Sequence, residues 1–251
     1  MMSSSSNEKF KKFLESFEKL THKDRNCFDT ITEISRKESG RREPLIHCHK
    51  KMYSLDDIKD QSKILKDNRP KTTDALYYKE EDDVLSLYLI EFKFHNLDDP
   101  DPKHTLNDFV KKIYDRKKYK CLSEDERFKL YKINQYYGDD VNHALILKPL
   151  ESLKVVIPKL YEEYCKENPD VEVMDIEEYL DNIEKKYFVF VSTYTQERKL
   201  NNENERQESR ATKLEEHLDR LKDGKIIDHY EIWPRCDFEY FLVIEQLVKV
   251  E

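Results

Sequence analysis

The sequence predicts an α/β (α+β) fold: a small mixed sheet flanked by helices, with a long helical insertion after the third strand. Three observations predict it. Thr73 to Tyr78 and Val84 to Phe94 are strand-forming runs separated by five consecutive charged residues, Lys79 to Asp83, and together they read as a β-hairpin. Tyr187 to Tyr194 (YFVFVSTY) is an apolar, aromatic and β-branched run, the composition of a strand. Elsewhere apolar residues recur at spacings of three and four, the period of amphipathic helices. A single domain over 7–251 is expected after a disordered tail at 1–6, with the helical insertion at about 104–180 and a charged excursion at about 196–223.

Taken in order, Phe10, Phe13, Leu14, Phe17 and Leu20 place a helix over 7–20. A second helix is expected from Cys27 to Lys37, N-capped by Asn26 and followed by Gly40, with Phe28, Ile31 and Ile34 as its stripe. Leu45 to Met52 is the candidate first strand. Ser54, with Asp57 three residues later, starts a helix over about 54–66. After the hairpin, Asp98, Asp99, Pro100, Asp101 and Pro102 make a loop, since the two prolines continue neither helix nor strand. Within the insertion, Leu106, Phe109, Val110 and Ile113 form one stripe; Phe128, Tyr131 and Gln135 belong to another. Pro149 suits the first turn of a helix burying Leu150, Leu153, Ile157, Leu160, Tyr161 and Tyr164, kinked at Pro158. Residues 196–223 show no apolar period beyond Leu214, Leu218 and Leu221 and are expected to pack little. Tyr230 to Trp233 and Phe238 to Ile244 read as a closing pair of strands around Pro234.

Composition removes several function classes. Three glycines in 251 residues exclude phosphate cradles of the Walker or Rossmann kind, each of which needs several glycines in one short loop. The net charge of −8 disfavours a broad, nonspecific nucleic-acid surface. A local basic patch remains open at Lys111, Lys112, Arg116, Lys117, Lys118 and Lys120, against the plainer reading of a solvated helix face. The five cysteines, 27, 48, 121, 165 and 236, are scattered and odd in number, which points to free thiols in a reducing, cytoplasmic setting. No apolar run reaches the roughly 18 residues of a membrane span, and the serine-rich start lacks the apolar core of a signal peptide.

The hairpin carries the chemistry. Asp74 opens its first strand, and Glu91-Phe92-Lys93 follows Val84 to Ile90, a run in which only Ser86 is neither apolar nor aromatic. Strand alternation sends Glu91 and Lys93 to one side. Six other D/E-x-K tripeptides occur in this highly charged chain, such as Asp57-Ile58-Lys59 and Asp223-Gly224-Lys225, but none of them ends a buried strand. Charges at the end of such a strand must be paired or bind something. The arrangement resembles the PD-(D/E)XK, or restriction-endonuclease-like, nuclease superfamily, in which an acid begins one strand and a (D/E)-x-K triplet ends the next. Asp74 matches the first acid, with Thr73 where proline is usual, and Glu91-Phe92-Lys93 matches the triplet. The match covers roughly residues 70–95. The resemblance implies a restriction-endonuclease-like core and metal-dependent phosphodiester hydrolysis of nucleic acid, DNA ranking ahead of RNA. It also implies Mg²⁺ or Mn²⁺ as cofactor, held by Asp74, Glu91 and the carbonyl of Phe92, with Lys93 acting on water and phosphate. Such nucleases often add an acid from the helix before the sheet, and Glu33 is the candidate, against an ordinary solvent-facing glutamate.

Other readings stay open. A structural Glu–Lys pair at the wet end of a strand explains the triplet without catalysis. A noncatalytic module of the same fold, binding a protein partner or a second copy of itself, suits the acidic balance and the charged excursion. His47-Cys48-His49 invites a metal, but in a strand the two histidines and the cysteine face opposite sides. A hydrolase built on Cys48 or Cys236 has no local signature.

Overall fold

A computed structural model describes residues 4–22, 25–38, 43–63, 65, 70–96, 140–193 and 210–247. Helix α1 (Ser4–Glu15) precedes a two-stranded ribbon of β1 (Thr21–His22) and β2 (Arg25–Asn26). Six further strands form one sheet in the order β3 (Phe28–Thr30), β4 (Lys51–Ser54), β5 (Ala75–Glu81), β6 (Val84–Asn96), β7 (Glu184–Thr193) and β8 (His229–Pro234). The first four pair antiparallel; β7 and β8 join in parallel, each after a helical crossover. Helices α2 (Ile31–Glu38) and α3 (Leu55–Gln61) follow β3 and β4. Between β6 and β7 lie α4 (Asp140–Glu151), a π-helical turn (Ser152–Val156), α5 (Ile157–Glu167) and α6 (Ile176–Asn182). Helix α7 (Arg210–Asp223) precedes β8, and α8 (Phe238–Ile244) follows it. The fold is therefore mixed α/β, a six-stranded sheet flanked by helices.

Alternation along the strands builds two apolar layers. Leu87 and Leu89 of β6 and Tyr187, Val189 and Val191 of β7 face a layer with α1, α4, α5, α6 and α7. Tyr88, Ile90, Phe92, Phe188 and Phe190 face the other, where α2 and α8 bring Ile31, Ile34, Phe238, Phe241 and Leu242. Strand β6 lies between β5 and β7, so both its faces and both its edges are covered, as its continuous apolar run predicts. The hairpin turns on Asp82 and Asp83, both at positive φ (51° and 63°), with Glu81 opposite Val84. This is the two-residue turn whose twist suits a hairpin.

Several boundaries differ from expectation, each for a local reason. Helix α1 starts at Ser4, so Ser4, Ser5 and Ser6, expected in the tail, are helical. Phe28 to Thr30 form a strand rather than helix, and the cap of α2 is Thr30, not Asn26: the Glu33 N–H donates to Thr30 Oγ1 at 3.3 Å. Residues 45–50 are not strand. Their backbone is served by helix side chains instead: Cys48 N–H donates to Thr32 Oγ1 at 2.8 Å, and Ile46 N–H to Ser35 Oγ at 3.2 Å. Pro149 lies inside α4. Pro158, expected inside a helix, lies instead in the first turn of α5, directly after the π turn Ser152–Val156.

Phe238 to Ile244 is helix, not strand. Its aromatic and branched residues suggested a strand, but Phe238, Phe241 and Leu242 are the buried set, a helical period that tertiary packing selects. The excursion at 196–223 is corrected in part. Leu214 and Leu218 of α7 are completely buried in the core, so this helix is a packed element, while 196–209 lie outside the described residues. The same holds for the acidic Pro-rich loop at 98–102, the stripes at 106–135 and the basic residues at 111–120. Among the described residues no helix is long and apolar enough to cross a membrane.

Candidate functional site

Asp74 immediately precedes β5, and Glu91 and Lys93 lie near the end of β6. Alternation puts all three on the face covered by α4, because Leu76 and Leu89 face that layer. They converge. Lys93 Nζ lies 2.7 Å from Glu91 Oε1. Lys148 Nζ, from α4, lies 3.0 Å from Asp74 Oδ1 and 2.6 Å from the same Glu91 oxygen. The other Asp74 oxygen, Oδ2, accepts the Phe92 N–H at 2.7 Å, so one carboxylate holds both the end of β6 and the ammonium of α4. Among the described residues two carboxylates and two ammoniums offset one another here, as charges at a nearly closed site must. Exposure grades across them: Glu91 is fully buried and Asp74 3% exposed, whereas the Lys148 and Lys93 side chains are 11% and 14% exposed. The acids are thus the more deeply buried members of the cluster.

Local sequence explains why α4 meets the acids so closely. Leu145, Lys148 and Ser152 are spaced by three and four, one face of a helix. Ser152 Oγ accepts the Thr73 N–H at 3.0 Å, and the Glu151 carboxylate accepts the Lys71 N–H. Pro149 has no N–H for the Leu145 carbonyl one turn back. The buried Tyr187 hydroxyl donates to that carbonyl at 3.0 Å, tying α4 to β7. Burial, with the nearby Glu91 carboxylate, raises the Tyr187 pKa well above the usual phenol value. It therefore stays a neutral donor. The π turn begins at Ser152, the last of these anchors along the helix, a distortion common next to functional sites.

Thr73 stands where the resembled nucleases usually carry proline, and its N–H is in use. Proline there would remove the bond to Ser152. Glu33 does not join the pair. Its helix packs Ile31 and Ile34 against the opposite apolar layer, and its carboxylate lies 3.3 Å from Arg36. Phe92 buries its ring in that same opposite layer, which leaves only its backbone at the site.

Asp74 Oδ1 and Glu91 Oε1 both lie within 3.0 Å of one point, now taken by the Lys148 ammonium. Two hard oxygen donors directed at one cationic position fit a divalent ion such as Mg²⁺ or Mn²⁺. Among the described residues no group of three or more His, Cys, Asp and Glu side chains is disposed to hold a metal. From these residues, further donors would be main-chain oxygen, completed by water. His47 and His49 are exposed and Cys48 half-buried. Burial raises the thiol pKa of both Cys48 and Cys236, the opposite of what a cysteine nucleophile needs.

Comparison with protein-family models, characterised proteins and solved structures returned no match to this chain. The site thus rests on its own geometry.

Lys148, Ser152 and Tyr187 are the members that sequence reasoning missed. A signal was present: Lys148 is a lone charge in the apolar run Ala144 to Leu150. Like Glu91, it is a charge in an apolar setting that has to be paired there.

Proposed function

We propose that this protein is a metal-dependent nuclease with a PD-(D/E)XK-type site at Asp74, Glu91 and Lys93. The observation that carries the reading is the convergence of these three side chains, from two neighbouring segments of the sheet, on one face of a buried strand. The element order is compatible with it in part: α1, β4, the hairpin, helices and the parallel strand β7 come in the order of a restriction-endonuclease-like core, with α3 standing between β4 and the hairpin where the simplest core has no helix. Asp74 Oδ1 and Glu91 Oε1 would hold Mg²⁺ or Mn²⁺, with the Phe92 carbonyl as a third donor. A divalent ion there supplies Lewis-acid polarisation of a phosphate oxygen and of the attacking water. Lys93 orients that water and offsets the negative charge that gathers on the phosphate, the kind of electrostatic term that usually dominates catalysis. Asp74 also fixes the end of β6 through the Phe92 N–H, so it positions the triplet in addition to binding the ion.

Cleavage of single- and double-stranded DNA and RNA with Mg²⁺ or Mn²⁺ is the test. Lys93→Ala is expected to abolish cleavage and leave metal binding in place. Asp74→Ala and Glu91→Ala are expected to lose both, and Glu33→Ala to retain both. Absence of cleavage on all four substrates, together with absence of metal binding, would sink the reading.

A second reading is favoured by one observation, the Lys148 ammonium seated between the carboxylates. A self-neutralised ion cluster can be purely structural, in a noncatalytic module that binds a protein partner. Metal titration separates the two, because the structural cluster takes up no ion.

A further inference from the structure

We infer that Lys148 is a built-in competitor for the divalent ion of this site. This rests on the nuclease reading and deepens it, by assigning a role to a residue outside the D-(E-x-K) set. The geometry is specific. One ammonium nitrogen lies within hydrogen-bond reach of both proposed ligand atoms, Asp74 Oδ1 at 3.0 Å and Glu91 Oε1 at 2.6 Å. Ligands bind Mg²⁺ at about 2.0–2.1 Å, so an ion bridging the same two oxygens would overlap the ammonium. Both cannot stay. Entry of the ion requires Lys148 Nζ to leave the two carboxylates and move outward, and its side chain already reaches solvent in part.

Helix α4 itself has no need to move. Ser152 against Thr73, Glu151 against Lys71 and Tyr187 against Leu145 anchor it on either side of Lys148, while a lysine has a flexible four-carbon stem on which its ammonium can swing. Lys93 differs in kind. It reaches Glu91 from the same face of its own strand, whereas Lys148 comes from the helix and bridges both acids. Lys93 can therefore remain beside an ion bound between them. The site is accordingly biased towards its metal-free form, and charge is compensated in both forms: by an ammonium in one, by a divalent ion in the other.

Removing the competitor should tighten metal binding, whereas deleting a ligand or a supporting residue should weaken it. Mn²⁺ binding is measured by calorimetry, and folding by circular dichroism, on wild type, Lys148→Met, Lys148→Gln and Lys148→Arg. The glutamine keeps a hydrogen-bond donor for the carboxylates and guards against loss of fold in the methionine variant. Charge-assisted hydrogen bonds to two carboxylates are lost on displacement, so Met and Gln are each expected to bind Mn²⁺ about tenfold tighter or better, and Arg no tighter than wild type. Tighter binding by a folded Met or Gln variant than by wild type supports the inference. If wild type binds Mn²⁺ and the folded variants bind it equally or more weakly, the competitor role is overturned and the nuclease reading stands. If none of the four binds Mn²⁺, the metal site itself fails, and this inference with it.

Discussion

Thr73 and Tyr187 show how single polar groups set the site. The Thr73 hydroxyl is buried and has no hydrogen-bond partner among the described residues, although its N–H is held by Ser152. A buried hydroxyl left without a hydrogen bond costs about 1–3 kcal/mol, so Thr73→Val, of like shape, is expected to raise stability by about 1 kcal/mol in urea denaturation. The acid beside it should keep its place. Tyr187 is the opposite case, a buried hydroxyl with an essential acceptor. Tyr187→Phe is expected to cost about 1–3 kcal/mol, because the Leu145 carbonyl loses the donor that substitutes for Pro149. Measured in a Pro149→Ala background, where residue 149 regains an N–H, the same change should cost clearly less. Equal costs in the two backgrounds would disprove the link. At this scale the sequence made Asp74, Glu91 and Lys93 legible, since charges at the end of an apolar strand need partners. It could not show which partner arrives, because Lys148 is 55 residues further along the chain than Lys93.

At the level of elements, the hairpin and β7 follow their own composition, whereas α8 and α7 do not. A seven-residue aromatic segment such as Phe238 to Ile244 satisfies either period. Burial of Phe238, Phe241 and Leu242 against Phe188 and Phe190 selects the helix. The hairpin turn keeps a cost of its own. Asp82 and Asp83 occupy left-handed backbone, where an L side chain is disfavoured and glycine is not. Asp83→Gly is therefore expected to stabilise the fold by about 0.5–1 kcal/mol. The Asn7 side chain donates to the Asp83 carbonyl at 3.1 Å, a contact to backbone that the substitution keeps. A fall in melting temperature would show that the aspartate side chain contributes something the backbone geometry does not.

At the scale of the whole fold, the buried phenols among the described residues link stability to pH. Tyr53, Tyr88, Tyr179 and Tyr187 are all buried, and burial raises each pKa above the ordinary value; Tyr161 is pushed up to about 12 by the same cause. A phenol is neutral when protonated. A folded-state pKa above the unfolded value of about 10 thus means that the unfolded chain loses protons first. The stabilisation is complete below about pH 10 and is lost as pH rises through the folded values. Denaturation midpoints are expected to hold from pH 7 to about pH 9 and fall steeply beyond pH 10, with the last part of the phenolate absorbance, that of the buried rings, appearing together with unfolding. Phenolate signal complete for all sixteen tyrosines before unfolding would show that these rings are not buried.

What the sequence determined by itself is the central part of the fold. Continuous apolar and aromatic runs specify β5, β6 and β7, because a strand buried on both faces, as β6 is, tolerates few alternatives, and the same runs isolate one aspartate, one glutamate and one lysine as charges requiring an explanation. What only the tertiary structure decided is what surrounds them. Which face Glu33 occupies, that residues 45–50 borrow hydrogen bonds from Thr32 and Ser35, and that Lys148 enters between the two acids all depend on how helices far apart in the chain dock on the sheet. The physical reason is range. Strand and helix periods are local properties of a few neighbouring residues, but the pairing of a buried charge is settled by whichever opposite charge the packed layers bring within about 3 Å.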